Sequence, residues 1–115
     1  MLFSDSGEVL TPQFAVYLNK NLRGRSLFPM LVDVQSELLQ DLETRVVVPL
    51  VKRAAFTDFP LGLLMPTVEL EGESYVLMTP QIAGVSLEDL GPHSGSVAVH
   101  SRAISTALDI LFRGF

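Results

Sequence analysis

One amphipathic helix near the end of the sequence limits what the rest of the chain can fold into. Ile104, Ala107, Leu108 and Leu111 recur at spacings i, i+3, i+4 and i+7, which places them on one apolar stripe of a helix. Gly114 follows, at the position where a helix C-terminal glycine belongs. Before this helix the sequence has only short apolar stretches separated by turn residues, so strands must cover the stripe. An antiparallel α+β domain with a C-terminal helix is therefore predicted.

The strands are predicted from short β-branched and aromatic runs. The valine run in 45–50 indicates burial on both faces of its strand. Glu71-Gly72-Glu73 separates two alternating segments, which indicates a hairpin with a three-residue connection. A turn is expected at 37–42, a short crossover at 51–59, and loops at 19–26 and 91–96. The predicted strands are 14–18, 28–34, 45–50, 67–70, 74–79 and 85–87.

The composition indicates one domain that associates with a second copy. The chain has 115 residues, of which 48% are hydrophobic and 18% charged. A small domain has too little interior for so much apolar surface, so part of it is expected in an oligomer interface. Ile110 and Phe112 lie outside the main helical stripe, which leaves a face for a homodimer. Residues 1–12 are expected to be a disordered leader or extension, and 13–115 to be the single domain.

Charge and residue types exclude several functions. The net charge is −5, which argues against strong sequence-independent binding to nucleic acid. There is no cysteine, hence no disulfide and no thiolate chemistry. The sequence has neither an apolar run of bilayer-spanning length nor a signal-peptide pattern, so a cytoplasmic protein without a membrane partner is expected. The basic residues are expected to be scattered and solvated. The alternative is a local basic patch formed by Arg23, Arg25, Arg45, Lys52 and Arg53.

No residue set makes a convincing catalytic, cofactor or metal site. Asp33 and Glu37 are close in sequence, but a strand residue and a turn residue need not converge. Ser36 lacks the G-x-S-x-G context of a nucleophile elbow, so a pairing with His93 or His100 is rejected. The two histidines also lack metal-ligand spacing. We therefore predict a binding protein, with no catalytic residue, no metal and no cofactor.

Several ordered motifs resemble the CcdB family of plasmid-type toxins. The family's FVDVQS-like motif is similar to Leu31-Val32-Asp33-Val34-Gln35-Ser36, and the strand that follows it in the family is similar to Arg45-Val46-Val47-Val48-Pro49-Leu50. Pro66-Thr67-Val68, Tyr75 and Met78-Thr79 resemble its middle hairpin, and Phe112-x-Gly114 resembles its last helix. The resemblance covers 13–115. It implies a small curved antiparallel sheet or barrel, of the kind shared by CcdB and MazF toxins, with one C-terminal α-helix, and it implies a homodimer.

The resemblance also implies a function. Such a toxin binds the A subunit of DNA gyrase and traps the cleaved-DNA state. A CcdA-like antitoxin releases gyrase, and the two proteins together repress their operon, so DNA is bound only through the complex. Asn19, Lys20, Arg23 and Arg25 in the exposed loop are the implied antitoxin-binding residues. The implied gyrase-binding residues are Gln13, Phe14, Ser36, Leu38, Leu39, Asp109, Phe112, Arg113, Gly114 and Phe115.

Three positions depart from the family pattern, and two other functions stay open. Arg113 stands where the best-known members have a tryptophan that stacks on a gyrase arginine, so it brings like charge instead. Phe115 replaces the usual isoleucine, and Asp109 replaces a polar amide. The first alternative is a MazF-like endoribonuclease, against which the acidic charge and the missing acid–base set count. The second is an attenuated, non-toxic relative.

Overall fold

The computed structural model describes residues 2–3, 9–10, 12–21, 27–58 and 62–114. The strands are β1 (Leu2–Phe3), β2 (Val9–Leu10), β3 (Ala15–Asn19), β4 (Met30–Asp33), β5 (Thr44–Lys52), β6 (Thr67–Leu70), β7 (Glu73–Leu77), β8 (Ala83–Ser86) and β9 (Leu90–Ser96). The α-helix α1 covers Ser101–Arg113. Single 3₁₀ turns lie at Glu37–Leu39, Arg53–Ala55, Gly62–Leu64, Thr79–Gln81, Leu87–Asp89 and Ala98–His100.

The central strand β5 organises an antiparallel sheet with the order β6-β7-β5-β4-β3-β9. One edge of β5 pairs with β4, and the other pairs first with β8 through 44–47 and then with β7 through 50–52. Pro49 lies where these two partners change over, and its carbonyl accepts from the Met78 N–H at 2.9 Å on that edge. A proline fits here because its missing N–H faces the gap between the two partner strands.

The sheet curls until its two outer strands approach each other. A Cβ atom added to Gly95 in β9 would lie 2.8 Å from Leu70 Cδ1 in β6. The Glu69 N–H of β6 donates to His100 Nε2 at 3.1 Å, which joins the same edge to the start of α1. Ile104 and Ala107 of α1 are buried in the core enclosed by the curl. The curled antiparallel half-barrel with one C-terminal helix confirms the predicted fold class.

Most predicted elements are confirmed, and the differences have local causes. The helix ends as predicted, with Gly114 left-handed at φ 82° and its N–H bonded to the Ile110 carbonyl at 2.8 Å. The connection between β6 and β7 has two residues rather than three, because Glu71 (φ 52°) and Gly72 (φ 81°) both adopt left-handed backbone, as a tight hairpin turn requires. The sixth predicted strand, 85–87, corresponds to β8, which begins two residues earlier and ends at Ser86.

The prediction of a loop at 91–96 is wrong. The segment belongs to β9, which pairs with β3 through irregular register. Its glycines and proline indicate a loop, but Gly91 and Gly95 stand at close approaches to Leu18 and Leu70, where a side chain has no room. Tertiary pairing therefore overrides the local turn signal.

The leader is only partly described. Leu2–Phe3 pairs with Val9–Leu10 in a separate two-stranded antiparallel sheet, and the disorder expected for residues 1–12 stays a prediction. The boundary of the toxin domain at residue 13 stays a prediction. In the part of the chain that the structure describes, no helix is long and apolar enough to cross a membrane.

Candidate functional site

Exposed leucines form a first candidate surface, the leucine loop, defined here as residues 36–42. Leu38 is 94% exposed, and Leu39 and Leu42 are each 48% exposed. The 3₁₀ turn within it has no buried residue. Its start is held by the Ser36 hydroxyl, which accepts from the Leu38 N–H at 3.1 Å. Large apolar side chains displayed in this way favour contact with another protein.

A buried polar network lies directly beneath the leucine loop. Arg45 and Asp33 form a two-pronged ion pair, with Nε–Oδ2 at 2.9 Å and Nη2–Oδ1 at 3.2 Å, and both side chains are 0% exposed. Gln35 joins it, because its backbone N–H donates to Asp33 Oδ1 at 3.0 Å and its Oε1 accepts from the Val46 N–H at 2.9 Å. The Leu39 carbonyl accepts from Gln35 Nε2 at 3.0 Å and from Arg45 Nη1 at 3.4 Å. We call Asp33, Gln35 and Arg45 the ion-pair network.

Tyr17 is buried and interacts electrostatically with both charges of this network. Burial raises the pKa of the Tyr17 phenol, the Asp33 carboxylate raises it further, and Arg45 lowers it. Among the described residues its hydroxyl finds no hydrogen-bond partner. Its ring meets that of His93 edge-on at 5.6 Å between centroids. The outer face of the sheet is thus packed around a buried charge pair and not only around apolar residues.

Carboxylates flank the leucine loop. Gln13 is tied to it, since the Gln13 N–H donates to Glu37 Oε1 at 3.2 Å and Gln13 Nε2 donates to the Val34 carbonyl at 3.1 Å. On the other side the Leu87 N–H donates to the Glu43 carbonyl at 3.0 Å, and Glu43 and Glu88 line a shallow pocket. The surface is therefore apolar with an acidic border, which suits a basic protein partner better than a nucleic acid.

The second candidate surface is the end of α1, residues 109–114. Phe112 is 69% exposed. Arg113 Nη2 lies 3.6 Å from Asp109 Oδ1, and both side chains are more than half exposed, so this pair contributes little to stability. The left-handed Gly114 turns the chain away from the helix axis. The helix rests on the 3₁₀ turns Gly62–Leu64 and Thr79–Gln81.

The structure thus divides the predicted gyrase-binding residues into two groups. Gln13, Ser36, Leu38 and Leu39 come together, and 109–114 form the helix end; in the described residues no hydrogen bond joins the groups. Phe14 is buried at the edge of the core with φ 70°, so its ring is not on the surface. Phe115 lies outside the described residues.

The predicted antitoxin-binding residues have different environments. Asn19 is buried, and its Nδ2 donates to the Phe28 carbonyl at 2.9 Å while its Oδ1 accepts from the Asn21 N–H. Lys20 is exposed. Arg23 and Arg25 lie outside the described residues. Asn19 therefore supports the loop, whereas Lys20 has a side chain available to a partner.

Sequence reasoning missed the ion-pair network. Arg45 was considered for a basic surface patch, which is wrong, because it is buried and paired with Asp33. The sequence did contain a signal for it, because Asp33 and Arg45 are single charges of opposite sign in two largely apolar strands. Ionised residues are rarely buried unless they are paired, so this pattern predicts a buried ion pair. Among the described residues, no three histidine, aspartate or glutamate side chains are grouped so as to hold a metal ion.

The fold defines a class of small antiparallel half-barrels with a C-terminal helix, and two solved structures share it. An endoribonuclease from a mycobacterial species matches with a TM-score of 0.70 at 18% identity, covering 90% of this chain and 92% of that one. A mycobacterial endoribonuclease in complex with its cognate antitoxin matches with a TM-score of 0.69 at 19% identity, covering 89% and 95%. At these identities the likeness concerns the fold alone.

The family follows from the sequence match. The model of the CcdB protein family matches residues 13–114, which is nearly the whole chain. The chain therefore belongs to the CcdB family, and it is a toxin of a toxin–antitoxin system.

Proposed function

We propose that this toxin acts in the cytoplasm as a homodimer that binds the A subunit of DNA gyrase and traps the cleaved-DNA complex, without catalysing a reaction itself. The observation that carries the proposal is the family match over residues 13–114. The exposed surfaces agree with it, since the helix end and the leucine loop both display large apolar side chains that are suited to protein contact.

The helix end and the leucine loop would supply the binding energy. Complete burial of Leu38 or Phe112, which are 94% and 69% exposed, would contribute roughly 1.5–3 kcal/mol each. The carboxylates beside the leucine loop would pair with basic groups on the gyrase arms and raise the rate of association. A two-fold dimer would present each surface twice, so affinity should depend on both copies engaging.

Arg113 is the residue that most affects potency in this proposal. By resemblance to the family, a tryptophan at this position stacks on a gyrase arginine, and a guanidinium brings like charge there. The Asp109 carboxylate is 3.6 Å away and offsets part of that charge, but its exposure makes the compensation weak. We expect an active but weakened poison, and the attenuated relative is the limiting case.

An antitoxin would neutralise the toxin and together with it repress the operon, so that DNA is bound only by the complex. One of the solved structures that share the fold is an endoribonuclease in complex with its cognate antitoxin, which supports a partner of this kind. The loop that begins at Asn19 and Lys20, and includes Arg23 and Arg25, is the proposed antitoxin face.

The decisive experiment titrates the full chain into a gyrase cleavage assay and measures linear plasmid. Linear DNA that rises with dose and disappears when antitoxin peptide is added is the expected result. Arg113→Trp should increase it, whereas Arg102→Trp, at the exposed start of the same helix, is the matched control and should not. Absence of linear DNA with both wild type and Arg113→Trp, in a sample shown to be folded and dimeric, would refute the proposal. Activity of the variant alone would identify an attenuated toxin.

The second candidate function is that of an endoribonuclease. The observation in its favour is the fold shared with two endoribonucleases. The net charge of −5 and the acidic border of the leucine loop count against it, because an RNA-binding groove needs basic groups. Cleavage of total RNA by the purified protein, with no linear DNA in the gyrase assay, would move the assignment to this function.

A further inference from the structure

The leucine loop has a defined conformation that its own packing does not explain. Its 3₁₀ turn spans only Glu37–Leu39, and none of these three side chains is buried. A single 3₁₀ turn is short of stabilising interactions, and exposed leucines would favour collapse onto the protein surface. Another part of the molecule must therefore hold the backbone that displays Leu38 and Leu39.

The ion-pair network is placed to do this. The Leu39 N–H closes the turn by donating to the Ser36 carbonyl at 3.0 Å, and the Leu39 carbonyl at the end of the turn accepts from Gln35 Nε2 at 3.0 Å and from Arg45 Nη1 at 3.4 Å. The Leu42 N–H also donates to this carbonyl, at 3.2 Å, so the following residues are held by the same atom. One carbonyl oxygen thus joins the exposed loop to a network anchored in β4 and β5.

The members of the network are themselves held by several hydrogen bonds. Gln35 is 6% exposed, and its amide is held at both ends, since Oε1 accepts from the Val46 N–H of β5 at 2.9 Å while Nε2 reaches Leu39. Asp33 receives both prongs of Arg45 and the Gln35 N–H. A buried ion pair is weak evidence for stability, because apolar residues often replace one without loss. Its position directly under an exposed apolar loop points to a different role.

We propose that Asp33, Gln35 and Arg45 are positioning residues that pre-order the leucine loop for its target, acting through the Leu39 carbonyl. The inference rests on the proposed function, in which this loop contacts gyrase. Binding by a loop that is already ordered avoids the loss of conformational entropy that a mobile loop would undergo on binding. The network therefore acts on affinity without touching the partner.

The first test needs no partner and uses Gln35→Met, which keeps the side-chain length but removes both the donor to the Leu39 carbonyl and the acceptor of the Val46 N–H. Amide hydrogen exchange of residues 38–42 should accelerate by about tenfold or more, and the Val46 amide should also exchange faster, while the other core amides of β4 and β5 stay protected. Val68→Ala, a cavity variant in β6, is the control for general destabilisation, and Gln81→Met is the control for the substitution itself. Unchanged exchange in the loop would overturn the proposal. If Gln35→Met does not fold, Arg45→Lys replaces it, because it keeps a cation opposite Asp33 but loses the Nη1 donor.

The second test measures affinity for the isolated gyrase A subunit. Gln35→Met should weaken binding by about threefold to tenfold in the wild-type background. In a Leu38→Ala/Leu39→Ala background, whose loop no longer makes contacts, it should change affinity by less than about twofold. Equal losses in both backgrounds would show a general structural effect and refute positioning. Failure of the wild type to bind gyrase would refute the proposed function, and the exchange result would still decide whether the network orders the loop.

Discussion

Breaking the buried ion pair on one side should cost far more than removing it altogether. Arg45→Met leaves Asp33 with no exposed surface and without the two bonds of 2.9 and 3.2 Å to its guanidinium partner. Removing one partner of such a pair typically costs about 3–5 kcal/mol. A domain of this size has a total stability of roughly 5–15 kcal/mol, so the loss is a large fraction of it. The Leu39 carbonyl keeps its bond from Gln35, so the loop itself contributes little to the loss.

The double variant Asp33→Leu/Arg45→Met removes both charges and leaves apolar side chains in a largely apolar surrounding. One remaining defect is the Gln35 N–H, which loses its acceptor at Asp33 Oδ1, at a cost of about 1–3 kcal/mol. The double variant should therefore recover about half or more of the stability lost by the single variant.

Urea unfolding followed by far-UV circular dichroism measures both changes. With a slope of about 1–3 kcal/mol per molar urea, a loss of about 3–5 kcal/mol should lower the midpoint by about 1–5 M. The double variant should move it back toward wild type. A double variant as unstable as Arg45→Met, or a single variant that loses less than about 1 kcal/mol, would refute the reasoning that an unpaired buried charge dominates the cost.

Three further predictions follow from single positions. Gly91→Ala should destabilise the fold by about 1–3 kcal/mol, measured by thermal unfolding, because the added Cβ would lie 2.8 Å from the Leu18 carbonyl oxygen. Gly84→Ala is the control and should not show this loss, because a Cβ at Gly84 has no neighbour within 4 Å. Gly114→Ala should lower the free energy of unfolding by about 1 kcal/mol, because φ 82° is left-handed backbone that alanine adopts only with strain. If the variant keeps both the helical content and the melting temperature of the wild type, this prediction is wrong. Burial raises the pKa of the Tyr17 phenol, so as the pH rises past about 10 the unfolded chain loses the phenol proton before the folded chain does, and the free energy of unfolding should fall. Tyr17→Phe should remove this part of the fall, and urea midpoints at neutral and alkaline pH measure the difference.

The periodic spacing of apolar residues was sufficient to predict the helix and the central strand. The stripe that includes Ile104 and Ala107 predicted α1, and both residues are buried in the core. The valines of 45–50 predicted a strand buried on both faces, and Val47 and Val48 are 1% and 0% exposed. Such patterns work because helix and strand periods place alternate residues on fixed faces whatever the rest of the fold does. The family motifs then identified the half-barrel.

The tertiary structure decided whatever depends on strands that are distant in sequence. β9 was predicted as a loop, because only its pairing with β3 shows why Gly91 and Gly95 are needed there. Asp33 lies opposite Val47 in the antiparallel register, which brings Arg45 within reach on the same face of the sheet. A shift of one residue in that register would send the two charges to opposite faces. The sequence by itself therefore determined the helix, most of the strands, the fold class and the family, while β9 and the network beneath the leucine loop depend on how the folded sheet aligns its strands.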